Sequence, residues 1–489
     1  LVHGLGFNVP RGSYLNEKKF RGHFNILYDK ITNQLKLDSI NFRVDEHPFN
    51  MTAAFDLSGN NPQFYMRLHT KNIVYNTLKS MLPARISKSL SIVAVNNPLD
   101  ADADISGALK AGDPLVQLRW HAKEVNMTTP FMDFDEAKFT GYFTNEVVPG
   151  LPRKDPNSMI VLNNFSAMWH NLPMQANKIE IMNLSAPVLT CDFHSAFALQ
   201  ALNDIIASNT LQFGTGNATV SLNYKGPLQR NDSTNTRLDG FMTCNNGSLQ
   251  YIPRGLTLQQ LNAQLIFKNA DVFIQQWQST ILNNKFSMQL TGKNLLSLIN
   301  KNPDAISIDW NIYTPALNLN SFVNLLSPRK KTAAQKAKKQ TIAGVATKLD
   351  GMFDKSKLNI QFKTDRLNYK KFDASQVQAD LSFLPDNYII RNASMRHADG
   401  QLNASGVITP VRSGNDVKLN LQLKSMDVKK LFYAFDNFGQ DGITYQNLEG
   451  KLSASVIAGM FIHENGQVDA SRLNSMVDFS LKEGALINY

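Results

Sequence analysis

The chain has 489 residues, of which 43% are hydrophobic, 18% are charged and 2 are cysteines. This composition is typical of a folded globular protein and excludes a disordered tail or a disulfide scaffold. Fifty Lys and Arg against 40 Asp and Glu give a net charge of +10, which suggests nucleic acid or an anionic membrane surface as a partner. No stretch approaches the ~18 continuous apolar residues that span a bilayer. The length predicts about three domains, unless one repeating architecture fills the chain.

The strongest pattern is an alternation of apolar and polar residues, which is typical of strands with one buried and one wet face. Parallel strands, buried on both faces, would give continuous apolar runs, so the alternation favours antiparallel pairing. The sequence therefore predicts a mostly β fold. Alternating segments occur at 20–28, 49–55, 64–68, 220–224, 358–362 and 417–423.

Helical periodicity is confined to short segments between these strands. They are typical of corner pieces and lie at 199–206, 294–299, 321–326 and 428–438. One longer amphipathic helix is predicted at 332–353.

Three alternating aspartates, Asp100, Asp102 and Asp104, are similar to the first ligands of a calcium loop. An EF-hand needs Gly at position 6 and Glu at position 12, where this chain has Ile105 and Ala111. We therefore predict a strand whose wet face carries the aspartates.

Patterns that would indicate catalysis or metal binding are sparse. Cys191 and His194 form a lone C-x-x-H without a second pair of zinc ligands, and no Walker loop or G-x-S-x-G turn occurs. We therefore expect no enzymatic activity, no cofactor and no metal site. A disulfide between Cys191 and Cys244 requires Cα atoms within about 7 Å, which the sequence leaves open.

Six of the ten excess positive charges lie in the stretch 329–339, which contains no acid. The stretch is either a solvated linker or a segment that binds anionic lipid headgroups. Near such a surface each basic residue contributes about 1 kcal/mol to binding. Nucleic acid is disfavoured because no aromatic residue interleaves with these side chains to stack on bases. The predicted membrane-surface residues are Arg329, Lys330, Lys331, Lys336, Lys338 and Lys339.

An internal repeat has a constant offset of 116 residues. Residues 261–267 (LNAQLIF) match 377–383 (VQADLSF), and Ile274 corresponds to Ile390 at the same offset. Each copy predicts three strands joined by turns. The motif GSLQY at 247–251 returns as GALINY at 484–489, so we expect a fragment that stops inside a repeat.

The apolar face of so many strands must be covered. A second sheet would make a sandwich, whereas a bound apolar ligand would leave an open groove, and the pattern alone does not decide between them. Predicted helices are too few to form a covering layer.

The segment 426–454, MDVKKLFYAFDNFGQDGITYQNLEGKLSA, resembles the C-terminal region of AsmA-like proteins. Residues 247–258 (GSLQYIPRGLTL), 292–296 (GKNLL) and 131–145, which ends in FTGYFTN, are similar to the same family. The family includes TamB-like relatives and is related to bridge-like lipid-transfer proteins. The resemblance implies an elongated, taco-like antiparallel β groove in the periplasm. It also implies an inner-membrane anchor, absent from this sequence, and transport of phospholipid acyl chains toward the outer membrane.

We therefore expect a non-enzymatic protein that binds lipid, transports phospholipid between membranes and supports outer-membrane biogenesis. The alternative is a structural or assembly β-sandwich of the cell envelope that carries no lipid. Expected partners are phospholipid or another acyl-chain lipid, with the membrane surface and outer-membrane assembly proteins as further candidates.

Three segments are predicted: N-terminal groove repeats at 1–326, a basic linker or helix at 327–356, and an AsmA-like C-terminal β region at 357–489. The predicted groove wall consists of Phe286, Met288, Leu290, Leu358, Ile360, Phe362, Leu419, Leu421 and Leu423.

Overall fold

The computed structural model describes most of the chain. The described residues are 2–5, 15–80, 87, 91, 93–110, 112–129, 132–206, 211–228, 236–252, 255–295, 307–326, 357–384, 386–463 and 467–487. Of the described residues, 70% are in strands and 10% in helices. This confirms the predicted mostly β, antiparallel fold with short connecting helices.

Contacts divide the chain into two compact units. Unit 1 comprises Leu1–Phe197 and Val220–Gly240, and unit 2 comprises Ala198–Thr219 and Phe241–Tyr489.

The first fourteen strands in chain order are β1 (Val2–Leu5), β2 (Leu15–Lys18), β3 (Phe20–Gly22), β4 (Ile26–Asp29), β5 (Gln34–Val44), β6 (His47–Asp56), β7 (Gln63–Ile73), β8 (Ala94–Val95), β9 (Leu99–Ala108), β10 (Leu115–Thr128), β11 (Asp133–Thr144), β12 (Met159–Trp169), β13 (Leu172–Met182) and β14 (Val188–Ala198). The remaining strands are β15 (Leu211–Phe213), β16 (Asn217–Pro227), β17 (Arg237–Tyr251), β18 (Leu256–Lys268), β19 (Asp271–Ile281), β20 (Asn284–Lys293), β21 (Ser307–Asn318), β22 (Lys357–Tyr369), β23 (Phe372–Phe383), β24 (Tyr388–His397), β25 (Gly400–Val411), β26 (Gly414–Asp427), β27 (Leu448–His463) and β28 (Asn474–Leu486).

The described helices are short. They are α1 (Tyr75–Ser80), α2 (Leu202–Ile206) and α3 (Val428–Ala434), with 3-10 turns at Asp155–Asn157, Leu199–Ala201, Leu319–Leu326, Asp436–Gly439, Tyr445–Asn447 and Ala470–Arg472. The helical segments predicted at 199–206 and 321–326 are thus confirmed. The segment predicted at 428–438 is confirmed only to Ala434, because Asp436, Asn437 and Phe438 have positive φ values of 54°, 55° and 54°. The segment predicted at 294–299 lies mostly outside the described residues, and the longer helix at 332–353 lies entirely outside them.

Unit 1 is an antiparallel meander in which β5, β6, β7, β9 and β10 to β14 pair in that order. The prediction of one strand over 20–28 is wrong, because β3 and β4 pair with opposite ends of β5. Between those ends Ser39 has a φ of 49°, and the register shifts between Leu37 and Ile40, so a bulge interrupts the ladder.

The aspartate-rich segment forms the predicted strand, β9. Leu99 and Ala101 on one face are 2% and 8% exposed. On the other face, Asp104 receives hydrogen bonds from Arg67, Arg119 and Tyr65.

In unit 2, strands β18 to β28 pair in chain order, and every step is antiparallel except the parallel pair β21–β22. The prediction that 358–362 is an antiparallel strand is therefore wrong on one side, since β22 is parallel to β21 and antiparallel to β23. Alternation reports burial of one face, and a single parallel pair within a sheet that is buried on one face keeps the same alternation. The chain between β21 and β22 is long enough for a parallel crossover.

The 116-residue repeat is visible in the backbone. Gln260 and Gln376 share a φ of 52°, and the turn residues Asn283 and Asp399 have φ values of 63° and 60°. The register shifts of β18–β19 and β19–β20 also recur in β23–β24 and β24–β25. The two copies therefore share their bulges and turns as well as their strands.

The predicted boundary segment 327–356 lies outside the described residues. The strands that flank it, β21 and β22, pair with each other within unit 2.

Candidate functional site

An apolar row crosses eleven strands of unit 2, from β18 to β28, and each member is the register partner of the next. Register partners lie side by side on one face of a sheet. With strands about 4.8 Å apart, the row is about 48 Å long. Row one consists of Ala263, Trp277, Met288, Ile312, Phe362, Ala379, Ala393, Ala404, Leu421, Val456 and Val477.

Two further rows run beside the first on the same face, from β18 to β27. Row two consists of Leu265, Ile274, Leu290, Trp310, Ile360, Leu381, Ile390, Gly406, Leu419 and Ala458. Row three consists of Phe267, Val272, Gly292, Ile308, Leu358, Phe383, Tyr388, Ile408, Val417 and Met460. We call the three rows the apolar face of unit 2.

The structure brings the nine predicted groove-wall residues onto this face. Seven belong to the rows: Met288, Phe362 and Leu421 to row one, Leu290, Ile360 and Leu419 to row two, and Leu358 to row three. Phe286 and Leu423 precede Met288 and follow Leu421 by two residues, so they continue the same face along β20 and β26. Their contact with lipid remains a prediction.

Burial changes along the face. Phe286 and Met288 are 8% and 7% exposed and pack against Leu317, Leu367 and neighbouring side chains. Phe322, from the 3-10 turn Leu319–Leu326, makes an edge-on contact with Phe286, with ring centroids 6.3 Å apart. This end of the face is therefore a packed core.

Toward β28 the same face becomes more accessible. Leu421 and Val456 are half-buried. Val477 and Phe479, on β28, are 49% and 70% exposed. Because exposure of large apolar side chains to water is unfavourable, these strands present an apolar surface that a ligand can cover.

The opposite face of the same strands carries a row of neutral amides. Gln264 pairs with Gln276, and Gln289 pairs with Asn311, which pairs with Gln361. They line a cavity of about 840 Å³, whose lining also includes Lys363, Trp277 and Ile312. Each amide offers both donors and acceptors, so this row can form hydrogen bonds with a polar ligand or with water. This polar surface is not among the predicted sites, although Gln276 and Gln278 mark it in the sequence.

The next candidates are the two cysteines and a possible metal site. Within the described ranges, no group of His, Cys, Asp and Glu side chains is placed to hold a metal ion. Cys191 and Cys244 are both free thiols. Burial, with a smaller contribution from Asp192, raises the pKa of Cys191 to about 11, and burial also raises the pKa of Cys244. Both thiols are therefore protonated and poorly reactive near neutral pH.

The six basic residues predicted to touch a membrane surface, in the stretch 329–339, lie outside the described residues. Within the described part of the chain, no helix combines the length and apolar character needed to cross a membrane.

Comparison with known proteins gives no relative: neither a protein-family model nor a curated protein matches the chain.

Proposed function

We propose that this protein binds the acyl chains of phospholipids along the apolar face of unit 2 and transports phospholipid between membranes without enzymatic chemistry. The observation that carries the proposal is the continuity of the three apolar rows over ten or more strands. Each buried CH₂ contributes about 0.8 kcal/mol, so an acyl chain on this face can move from strand to strand without returning to water.

The cellular setting in this proposal is the periplasm, with an inner-membrane tether and a role in outer-membrane biogenesis. It rests on the resemblance of residues 426–454 to AsmA-like proteins. Part of that segment forms α3, which is capped by Asp427, whose carboxylate accepts a hydrogen bond from the Lys430 backbone amide at 2.8 Å. Lipid and outer-membrane assembly proteins are the proposed partners.

One observation favours the alternative of a structural envelope protein. The cluster around Phe286 and Met288 is packed side chain against side chain, as in a protein core. The two ends of the apolar face therefore have different expected roles, and the experiment is best placed at the accessible end.

The test compares Leu421→Asp with Gln422→Asp, its neighbour on the polar face of β26. Native mass spectrometry after purification in mild detergent should show bound lipid on the wild type and on Gln422→Asp, and none on folded Leu421→Asp. A lipid-free wild type, or equal lipid on both variants, would contradict the proposal.

A further inference from the structure

A basic cavity of about 470 Å³ lies on the polar face of unit 1, over β3, β5, β6 and β7. Its charged and polar lining includes Arg21, Arg43, Lys71, Asn41, Asn50 and His69. The cavity is distinct from the apolar face of unit 2.

Arg21 and Arg43 are direct register partners on β3 and β5. Side chains in such positions have Cβ atoms about 5 Å apart, and like charges placed there repel each other. Neither arginine, nor Lys71, forms an ion pair with any described residue of the chain. The structure thus places two exposed arginines opposite each other on adjacent strands, with no counterion among the described residues.

A second pair of arginines in unit 1 is paired with a carboxylate, which reduces their mutual repulsion. Arg67 and Arg119 both contact Asp104, with Arg67 Nε 2.8 Å from Oδ1 and Arg119 Nη1 2.9 Å from Oδ2. One carboxylate therefore offsets part of the charge of that pair. At Arg21 and Arg43 no carboxylate of the described residues takes this place, which leaves both guanidinium groups open to an anion from solution.

Two carboxylates of neighbouring strands and turns are engaged by other side chains. Asp102 Oδ1 lies 2.7 Å from His69 Nδ1, and Asp45 is 3.0 Å from the Lys18 ammonium. Within the cavity, Asn50 Nδ2 donates to Asn41 Oδ1 at 3.1 Å. This bond orients the Asn41 amide and leaves its NH₂ group to donate to a ligand.

The opposite face of the same strands is rigidly packed. Phe20 stacks on Phe42 with ring centroids 5.2 Å apart, and Phe42 stacks on Phe49 at 5.6 Å. Phe20 and Phe42 immediately precede Arg21 and Arg43. The aromatic stack therefore fixes the backbone positions from which the two guanidinium groups extend.

We propose that this cavity binds a phosphate group, with Arg21 and Arg43 as the primary contacts and Lys71 and Asn41 as additional donors. Planar guanidinium groups match phosphate oxygens in a two-pronged geometry. The phosphate can belong to a lipid headgroup or to a soluble ligand. This proposal does not depend on acyl-chain binding by unit 2.

The test measures binding of inorganic phosphate and pyrophosphate by calorimetry, against chloride at equal ionic strength. The double variant Arg21→Gln/Arg43→Gln should bind pyrophosphate at least tenfold more weakly than the wild type. The control Arg366→Gln/Lys418→Gln removes two exposed charges from unit 2 and should bind like the wild type. Equal binding by wild type and Arg21→Gln/Arg43→Gln, or no binding by the wild type, would overturn the proposal.

Vesicles distinguish the two sources of phosphate. Binding to vesicles with 20% phosphatidic acid that is lost in Arg21→Gln/Arg43→Gln assigns the site to a headgroup, and unchanged vesicle binding assigns it to a soluble phosphate. A second variant, Arg43→Asp, places a carboxylate opposite Arg21. It should raise the melting temperature in the absence of phosphate and abolish the rise that pyrophosphate gives the wild type, whereas a retained response would contradict the assignment. Native mass spectrometry of lipid on unit 2 should be unaffected by all these variants.

Discussion

Thr314 and Thr364 lie directly opposite each other in the parallel pair β21–β22, and their hydroxyl groups make equivalent hydrogen bonds. Thr314 Oγ1 donates to the Ala316 carbonyl at 3.0 Å, and Thr364 Oγ1 donates to the Arg366 carbonyl at 2.8 Å. Both side chains are almost fully buried, at 0% and 2% exposed. The register is the same before and after this pair, so the apolar rows continue across the parallel step.

Thr314→Val should destabilise the protein by about 1 kcal/mol, because the substitution removes the hydrogen bond that the buried Thr314 hydroxyl donates to the Ala316 carbonyl. Denaturant unfolding measures the loss. Thr409→Val, at an exposed strand position, is the matched control and should change stability by less than about 0.5 kcal/mol. Equal stability of the two variants would show that the Thr314 hydroxyl has no structural role.

Leu282→Asn should stabilise the hairpin between β19 and β20. Leu282 and Asn283 form its two-residue turn with φ values of 47° and 63°, a conformation that favours Asn and Gly. Leu282 is 39% exposed, so little packing is lost. We expect a gain of about 0.5–1 kcal/mol in the free energy of unfolding. Leu282→Val should lower stability instead, and a gain in that variant would contradict the turn assignment.

Asp104→Asn should destabilise the protein at neutral pH by roughly 1–2 kcal/mol, because it removes the charge that pairs with Arg67 and Arg119. Both arginines are partly exposed, so water weakens these ion pairs without abolishing them. Partial burial acts to raise the pKa of the Asp104 carboxyl, but hydrogen bonds from Arg67, Tyr65 and Arg119 outweigh it and hold the pKa below its usual value. The contribution is therefore fully present above the unfolded pKa of about 3.9 and is lost as the pH falls through the lower folded value.

Unfolding of wild type and Asp104→Asn between pH 7 and pH 2 tests the direction in which the Asp104 contribution to stability changes with pH. The difference in stability should be constant from pH 7 to about pH 5 and shrink in more acidic solution. A difference that grows on acidification would refute it.

Met288→Asp should unfold the protein more readily than Leu421→Asp, although both residues belong to row one. Met288 is 7% exposed, so an aspartate there buries a charge and is expected to cost 3 kcal/mol or more, on the order seen for unpaired buried charges. Leu421 is half-buried, and its aspartate can reach water. Thermal unfolding of the two variants decides, and equal melting temperatures would show that the apolar face is packed evenly along its length.

The alternation of apolar and polar residues predicted most of the strands. A strand that buries one face has apolar residues at every second position, as at Leu419 and Leu421. The repeat offset was also readable, since Ile274 and Ile390 keep the same place in their strands. These features are local or nearly so.

Features that depend on register could not be read from the sequence. The row from Met288 to Leu421 depends on bulges such as those after Ile274 and Ile390, which change which residues share a face. The opposition of Arg21 and Arg43 likewise arises only when β3 pairs with β5. The direction of β22 was missed for the same reason.

Quenching of tryptophan fluorescence by phospholipids with brominated acyl chains tests the central claim most directly. Val477→Trp places a tryptophan in row one at the accessible end of the apolar face, where Val477 is 49% exposed, and Trp120→Phe, Trp169→Phe, Trp277→Phe and Trp310→Phe make it the only tryptophan of the chain. Loading with brominated phospholipid should quench its emission strongly relative to the unbrominated lipid. Emission that is unchanged by brominated lipid, on protein shown by mass spectrometry to carry it, would contradict acyl-chain binding on this face.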